Sequence, residues 1–155
     1  MNEVISWEEF NKYMKMGTII VAHGFIKDKF VHGDHATIEY FPTFGDYHKH
    51  NPDKKVDIER YNDFFASFDD VLTILMREQV RLLKILPALG RVTIIKEFDE
   101  KKYSATIERE QAERFYNIKF RDFINSDPKW IKFVDRKVMN DVYRKKFVDE
   151  ILDVE

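Results

Sequence analysis

The chain has no cysteine, which removes disulfide frameworks, thiolate metal sites and cysteine nucleophiles together. Glycine and proline are scarce, with 5 and 4 respectively, and neither a P-loop nor a dinucleotide fingerprint can be drawn through them. No apolar run approaches the roughly 18–20 residues that span a bilayer; Thr18 to Ala22 falls far short. An excess of one charge is also missing. Twenty-six Lys and Arg against 28 Asp and Glu leave a net charge of −2, which argues against a protein that binds duplex nucleic acid through phosphate neutralisation. The start Met1-Asn2-Glu3-Val4 lacks the basic and apolar stretches of a secretory signal. The expectation is a cytoplasmic protein without a membrane partner.

What is present is apolar and aromatic residue enough for a core: 44% hydrophobic, 15% aromatic, 14 Phe. A chain of 155 residues fits one domain over 1–155. Ser6 and Glu9 form a capping box before Trp7, Phe10, Tyr13 and Met14, at helical spacing, and Gly17 ends that helix. The β-branched run Thr18–Ala22 predicts a buried strand. A turn is expected around Lys27-Asp28-Lys29, followed by a strand over His35–Phe41 that stops at Pro42. Thr43 to Lys55 reads as a long polar loop, of the kind that is functional or mobile. Asp57 to about Leu86 reads as helix in two pieces meeting near Ser67, with Val71, Leu72, Leu75, Val80, Leu83 and Leu86 on one apolar face. Arg91–Ile95 and Tyr103–Ile107 predict a hairpin across the four-residue turn Asp99–Lys102. Helices are expected over about Glu110–Asn125 and Asp135–Leu152. Strands in hairpins mixed with helices make an α+β fold.

One constellation carries chemistry. In a strand, His35 and Thr37 share a face while Ala36 and Ile38 point to the other. An imidazole beside a hydroxyl suits a phosphate: the hydroxyl donates to a nonbridging oxygen, and histidine moves a proton near neutral pH. A second segment of the same polar–apolar order, Ser104-Ala105-Thr106-Ile107, follows 69 residues later. His32-x-x-His35 invites a metal reading, but in an extended chain the two side chains fall on opposite faces, and no ligand set completes a site. No metal and no cofactor are expected.

On these segments the sequence resembles the two-histidine phosphoesterase superfamily, the RNA ligase-like relatives of RNA cyclic phosphodiesterases. Within it, the nearest resemblance is to the phage anti-CBASS nucleases that cleave cyclic di- and trinucleotide immune signals. The resemblance implies a single bilobal, pseudo-symmetric α+β domain with a central antiparallel sheet, a metal-independent phosphodiesterase, and the cytoplasm of an infected host as its location. It makes His35 a general acid or base, with Thr37 and Thr106 holding the scissile phosphate. Ser104 stands where the family's second motif begins with histidine. A hydroxyl cannot replace that imidazole unaided, so the second role is open among Ser104 as a natural slow or binding-only variant, Ser104 as a substitution introduced to trap a ligand, or His32, His48 and His50 as reassigned partners. A second placement of the motif, Arg91-Val92-Thr93-Ile94, follows a helix end and matches less well. Tyr40, His48, His50 and Trp130 are the candidate ligand contacts, the first and last either stacking on a base or packing in the core, and the two histidines in a lid. The alternative is a non-catalytic nucleotide-binding or protein-interaction module using the same cleft.

Overall fold

A computed structural model describes residues 6–15, 22–123 and 127–155. The expected strand at Thr18 and the cap at Gly17 lie outside the described residues, while Ala22 is buried in a turn. Helix α1 (Trp7–Lys15) begins where the capping box predicts, with the Glu9 amide donating to Ser6 Oγ at 3.1 Å. Strands β1 (Ile26–His32) and β2 (His35–Tyr40) form a hairpin. Its turn is Gly33-Asp34, with Gly33 at φ +62°, a value that glycine adopts freely. The charged Lys27-Asp28-Lys29 is therefore strand and not turn. An outermost strand carrying charge and a register irregularity at Asp28 is how sheets blunt an edge.

Beyond Pro42 the expected polar loop instead contains α2 (Phe44–His50). Thr43 Oγ1 accepts the Asp46 amide at 3.0 Å, and Phe44 and Tyr47, three apart, turn inward, Tyr47 being buried. Helices α3 (Ile58–Phe65) and α4 (Phe68–Ile85) are the two expected pieces, and Ser67 caps the second through a box with Asp70. Every residue of the predicted apolar face of α4 is buried. Strands β3 (Arg91–Phe98) and β4 (Lys101–Glu108) pair across a tighter turn than expected, Asp99-Glu100, both at positive φ (+51° and +65°). Helix α5 (Arg109–Tyr116) stops well before Asn125, because Asn117 takes a left-handed conformation at its end. A 3-10 turn (Phe120–Phe123) and helical turns over 127–138 follow; Asp127-Pro128 opens that segment. Helix α8 (Asp141–Glu150), capped by Asn140, leads to β5 (Leu152–Val154); the short helices α6 (Asp127–Trp130) and α7 (Arg136–Val138) precede it.

Among the described residues the fold is mixed α+β around one five-stranded sheet ordered β1-β2-β3-β4-β5. Every pairing in it is antiparallel except the second: β2 and β3 are parallel, joined by the crossover through α2, α3 and α4. Alternation decides which face is covered. Ala36, Ile38 and Tyr40 of β2, Val92, Ile94 and Lys96 of β3, and Ala105 and Ile107 of β4 all point to the buried side. Gln79 of α4 reaches into that face, its Nε2 donating to the carbonyls of Ala105 (2.7 Å) and Val92 (3.3 Å). The other face carries His35, Thr37, Thr93, Ser104 and Thr106, and is the polar side of the sheet.

Lys96 is the exception in the core, 1% exposed. Its Nζ donates to the Pro42 and Glu97 carbonyls and lies 4.8 Å from the Phe65 ring centre. Desolvation by burial pulls its pKa down to about 8, against a smaller upward pull from Glu97.

The unfolded chain holds the Lys96 proton up to about pH 10.4, while the folded one releases it from about 8. Stability therefore gains with pH across that window. Lys96→Met should be more stable than the wild type at pH 7 by about 1–4 kcal/mol, as when buried ionic groups give way to apolar ones of like size. In urea unfolding, that advantage should shrink as the pH rises from 8 to 10. Glu100→Gly should raise stability by about 1 kcal/mol, because it removes the Cβ penalty of a left-handed residue; an unchanged urea midpoint would contradict the strain.

Candidate functional site

The open face of the sheet gathers groups from three strands. Parallel register sets His35 beside Arg91 and Thr37 beside Thr93, and the next ladder sets Thr93 beside Thr106. The His-x-Thr of β2 thus runs alongside Arg91-Val92-Thr93, and Ser104-Ala105-Thr106 comes in antiparallel from the far side. Thr93 is the joint. His35 Nε2 lies 2.8 Å from Thr93 Oγ1, which lies 2.7 Å from Thr106 Oγ1. With the imidazole proton on Nδ1, the Thr93 hydroxyl donates to Nε2 and the Thr106 hydroxyl donates to Thr93. Proton demand at one end of the chain is then felt at the other. Thr37, on the same face, is 8% exposed.

His35 has its pKa lowered from the ordinary imidazole value. Desolvation is the first cause, the Arg91 charge the second and His32 a further one, with Asp34 pulling the other way. The ring is held neutral and able to accept a proton at neutral pH. Arg91 is bridged to Glu108 at 2.8 Å, so the open face carries a cation already partly balanced by a carboxylate.

Asp34 reaches this site from the hairpin turn. Its carbonyl accepts the amides of Gly90 (2.9 Å) and Arg91 (3.2 Å), fixing the entry of β3 against the start of β2. Its carboxylate closes over Gly90 so tightly that a Cβ there would stand 2.1 Å from Oδ2. A side chain at position 90 would have to push that carboxylate aside.

The sequence-predicted residues divide clearly. His35, Thr37 and Thr106 share the open face, with Thr93 joining the first to the last. Ser104 lies on the same face of β4 but one pleat repeat further on, opposite Ile95 and Asp153, about 7 Å along the strand from Thr106. His32, expected on the side away from His35, is its cross-strand partner at the hairpin turn. The turn between them reverses the chain, so the two imidazoles are neighbours on one face. His48 and His50 sit on α2, beyond the opposite end of β2. His48 stacks on Phe44, and His50 packs on Phe41 with Nδ1 2.9 Å from the Asp46 carbonyl. They belong to a capped helix and not to a lid loop. Tyr40 points into the core at 1% exposure, and Trp130 is buried against Phe120 and Phe123; neither ring faces the cluster.

Thr93 and Arg91, from the weaker-matching placement of the motif, also stand in the site. Their signal was the Arg-x-Thr-Ile pattern itself, which only a parallel β2–β3 pairing turns into a neighbour of His35. Among the described residues no group of three His, Asp or Glu side chains is placed to hold a metal ion, and no helix is long and apolar enough to cross a membrane. Comparison with protein-family models, curated proteins and solved structures finds no match.

An NMR titration of the His35 ring should give a midpoint below the usual ~6.5 of histidine. Arg91→Gln should raise that midpoint and Asp34→Asn should lower it. Shifts of the reverse sign would show that these charges do not face the ring.

Proposed function

We propose that the open face of the sheet is a metal-independent phosphodiester site, and that the chain binds and cleaves a cyclic di- or trinucleotide. The observation that carries this reading is the unbroken chain from His35 through Thr93 to Thr106, with Arg91 beside it. It supplies a neutral imidazole for proton transfer, a Thr106 hydroxyl that turns from Thr93 to a nonbridging oxygen when the ligand enters, and a cation for the charge that develops on the phosphoryl oxygens. The two hairpins meeting along the β2–β3 seam fit a domain of two related halves, as the resemblance to the two-histidine phosphoesterases implies. In that reading an anti-CBASS role follows from the ligand class.

In the mechanism, His35 takes the proton of the attacking hydroxyl, directly or through Thr93. Thr37 holds one phosphate oxygen, and Thr106 another once its hydroxyl turns away from Thr93. His32, the adjacent imidazole, serves as the acid that protonates the leaving oxygen, a role Ser104 cannot fill. A second reading keeps the same ligand without cleavage: Thr93 already occupies His35 Nε2, and Arg91 is already paired with Glu108. Both arrangements suit holding a phosphate more readily than turning one over.

Incubation with 3′,3′-cyclic GMP-AMP, followed by anion-exchange separation, should yield linear product. Removing one of the acid–base pair, in His35→Ala or His32→Ala, should slow turnover on the order of 10²–10⁴-fold. Thr93→Val should slow it while leaving the fold intact. An unchanged dinucleotide with a raised melting temperature selects the binding reading. No change in either quantity sinks both.

A further inference from the structure

Around the corner from the His35 cluster, where α4 ends and α5 begins, a cavity of about 390 Å³ is lined by Lys84, Pro87, Arg109, Glu113, Lys119, Phe120 and Arg121. It shares no lining residue with the cluster. Four of those side chains are cations and one is a carboxylate, a local surplus on a chain whose net charge is −2. Glu113 is the one carboxylate of the lining, and its Oε2 accepts the Phe120 amide at 2.9 Å.

The cations are held by different means. Arg109 donates from Nε to the Leu89 carbonyl at 2.9 Å and from Nη2 to those of Leu86 (3.0 Å) and Leu89 (2.7 Å), and its guanidinium lies 5.3 Å from the Phe120 ring centre. It thereby places a cationic donor on the carbonyls that follow α4, whose partial negative charge would otherwise repel an anion. Lys84 sits 4.7 Å from the centre of the Trp130 ring. Lys119 and Arg121 are exposed at the rim. A guanidinium held by backbone carbonyls, a lysine on an aromatic ring and two exposed cations together form an anion receptor. The cavity lies within the size range of small-molecule sites, roughly 300–1,000 Å³, and exceeds what a lone carboxylate needs.

We propose that this cavity binds the phosphate groups of a small multiply phosphorylated molecule, such as a nucleoside diphosphate. Adjacent phosphates match the surplus of cations, while Pro87 and Phe120 offer an apolar wall to the rest of the ligand.

Isothermal titration with pyrophosphate and with ADP tests it on the full chain, at about 0.15 M salt to screen loose surface attraction. Both should bind saturably at one site, and Lys119→Ser with Arg121→Ser should weaken them at least tenfold. Both replaced residues are exposed, so the fold should survive, and circular dichroism checks it. His35→Ala should leave the isotherm unchanged. Failure to saturate by about 10 mM, weaker than any affinity of use, overturns the proposal. So does equal binding by sulfate, or an isotherm that the double variant leaves intact. Loss of binding in His35→Ala would assign the anion to the sheet face and not to this cavity.

Discussion

The parallel pairing of β2 with β3 is the constraint on which the rest depends. It is the one parallel ladder among the described residues, and a hairpin cannot make it. The chain must leave the end of β2, travel through three helices and return at the start of β3. α4 is the last leg of that journey and the lid on the sheet's buried face. Its length, its buried stripe and its Gln79 contacts with two strand carbonyls hold the crossover at one register. A slip of a single residue would exchange Thr93 for Val92 or Ile94, putting an aliphatic side chain beside Thr37 and a hydroxyl into the core. Core packing and the polar cluster are thus two readouts of one alignment.

The same asymmetry explains the distribution of aromatic residues. Phe25, Phe41, Phe44, Tyr47, Tyr61 and Phe65 contact one another at the far end of β2, around the Lys96 side chain. A second group, Phe120, Phe123 and Trp130, packs beneath the last helices. A third joins Phe115, Tyr116, Tyr143 and Phe147, so the abundance of rings serves packing, and the open face of the sheet is left mainly to hydroxyls, imidazoles and charges. Phe30 is the apolar side chain on β1 that stays half exposed there, next to Thr37 in the ladder.

Much of this was legible in the residues. The break at Ser67, the apolar stripe of α4, the β3–β4 hairpin and the shared face of His35 and Thr37 follow from capping chemistry and from periods of 3.6 and 2. What escaped was of two kinds. Local signals were outweighed by composition: Thr43-x-x-Asp46 with Phe44 and Tyr47 marks a helix that its glycine, histidines and lysine disguise as loop, and Asn117 ends α5 as a glycine would. Long-range signals were not in the string at all. His32 and His35 look opposed until Gly33 turns the chain between them, and Arg91-Val92-Thr93 looks like any strand opening until the crossover lays it beside His35-Ala36-Thr37.

The contact between Gly90 and Asp34 ties a single hydrogen atom to the behaviour of an imidazole. The carboxylate that fills the space of the missing side chain is also the group that favours the charged form of His35. A methyl group at position 90 would swing that carboxylate aside, and the acidity of the ring would drift without any change to the ring, its threonine or its strand. Backbone economy at one corner of the sheet therefore acts as a tuning screw for proton affinity, and variation at residues 34 and 90 should travel together.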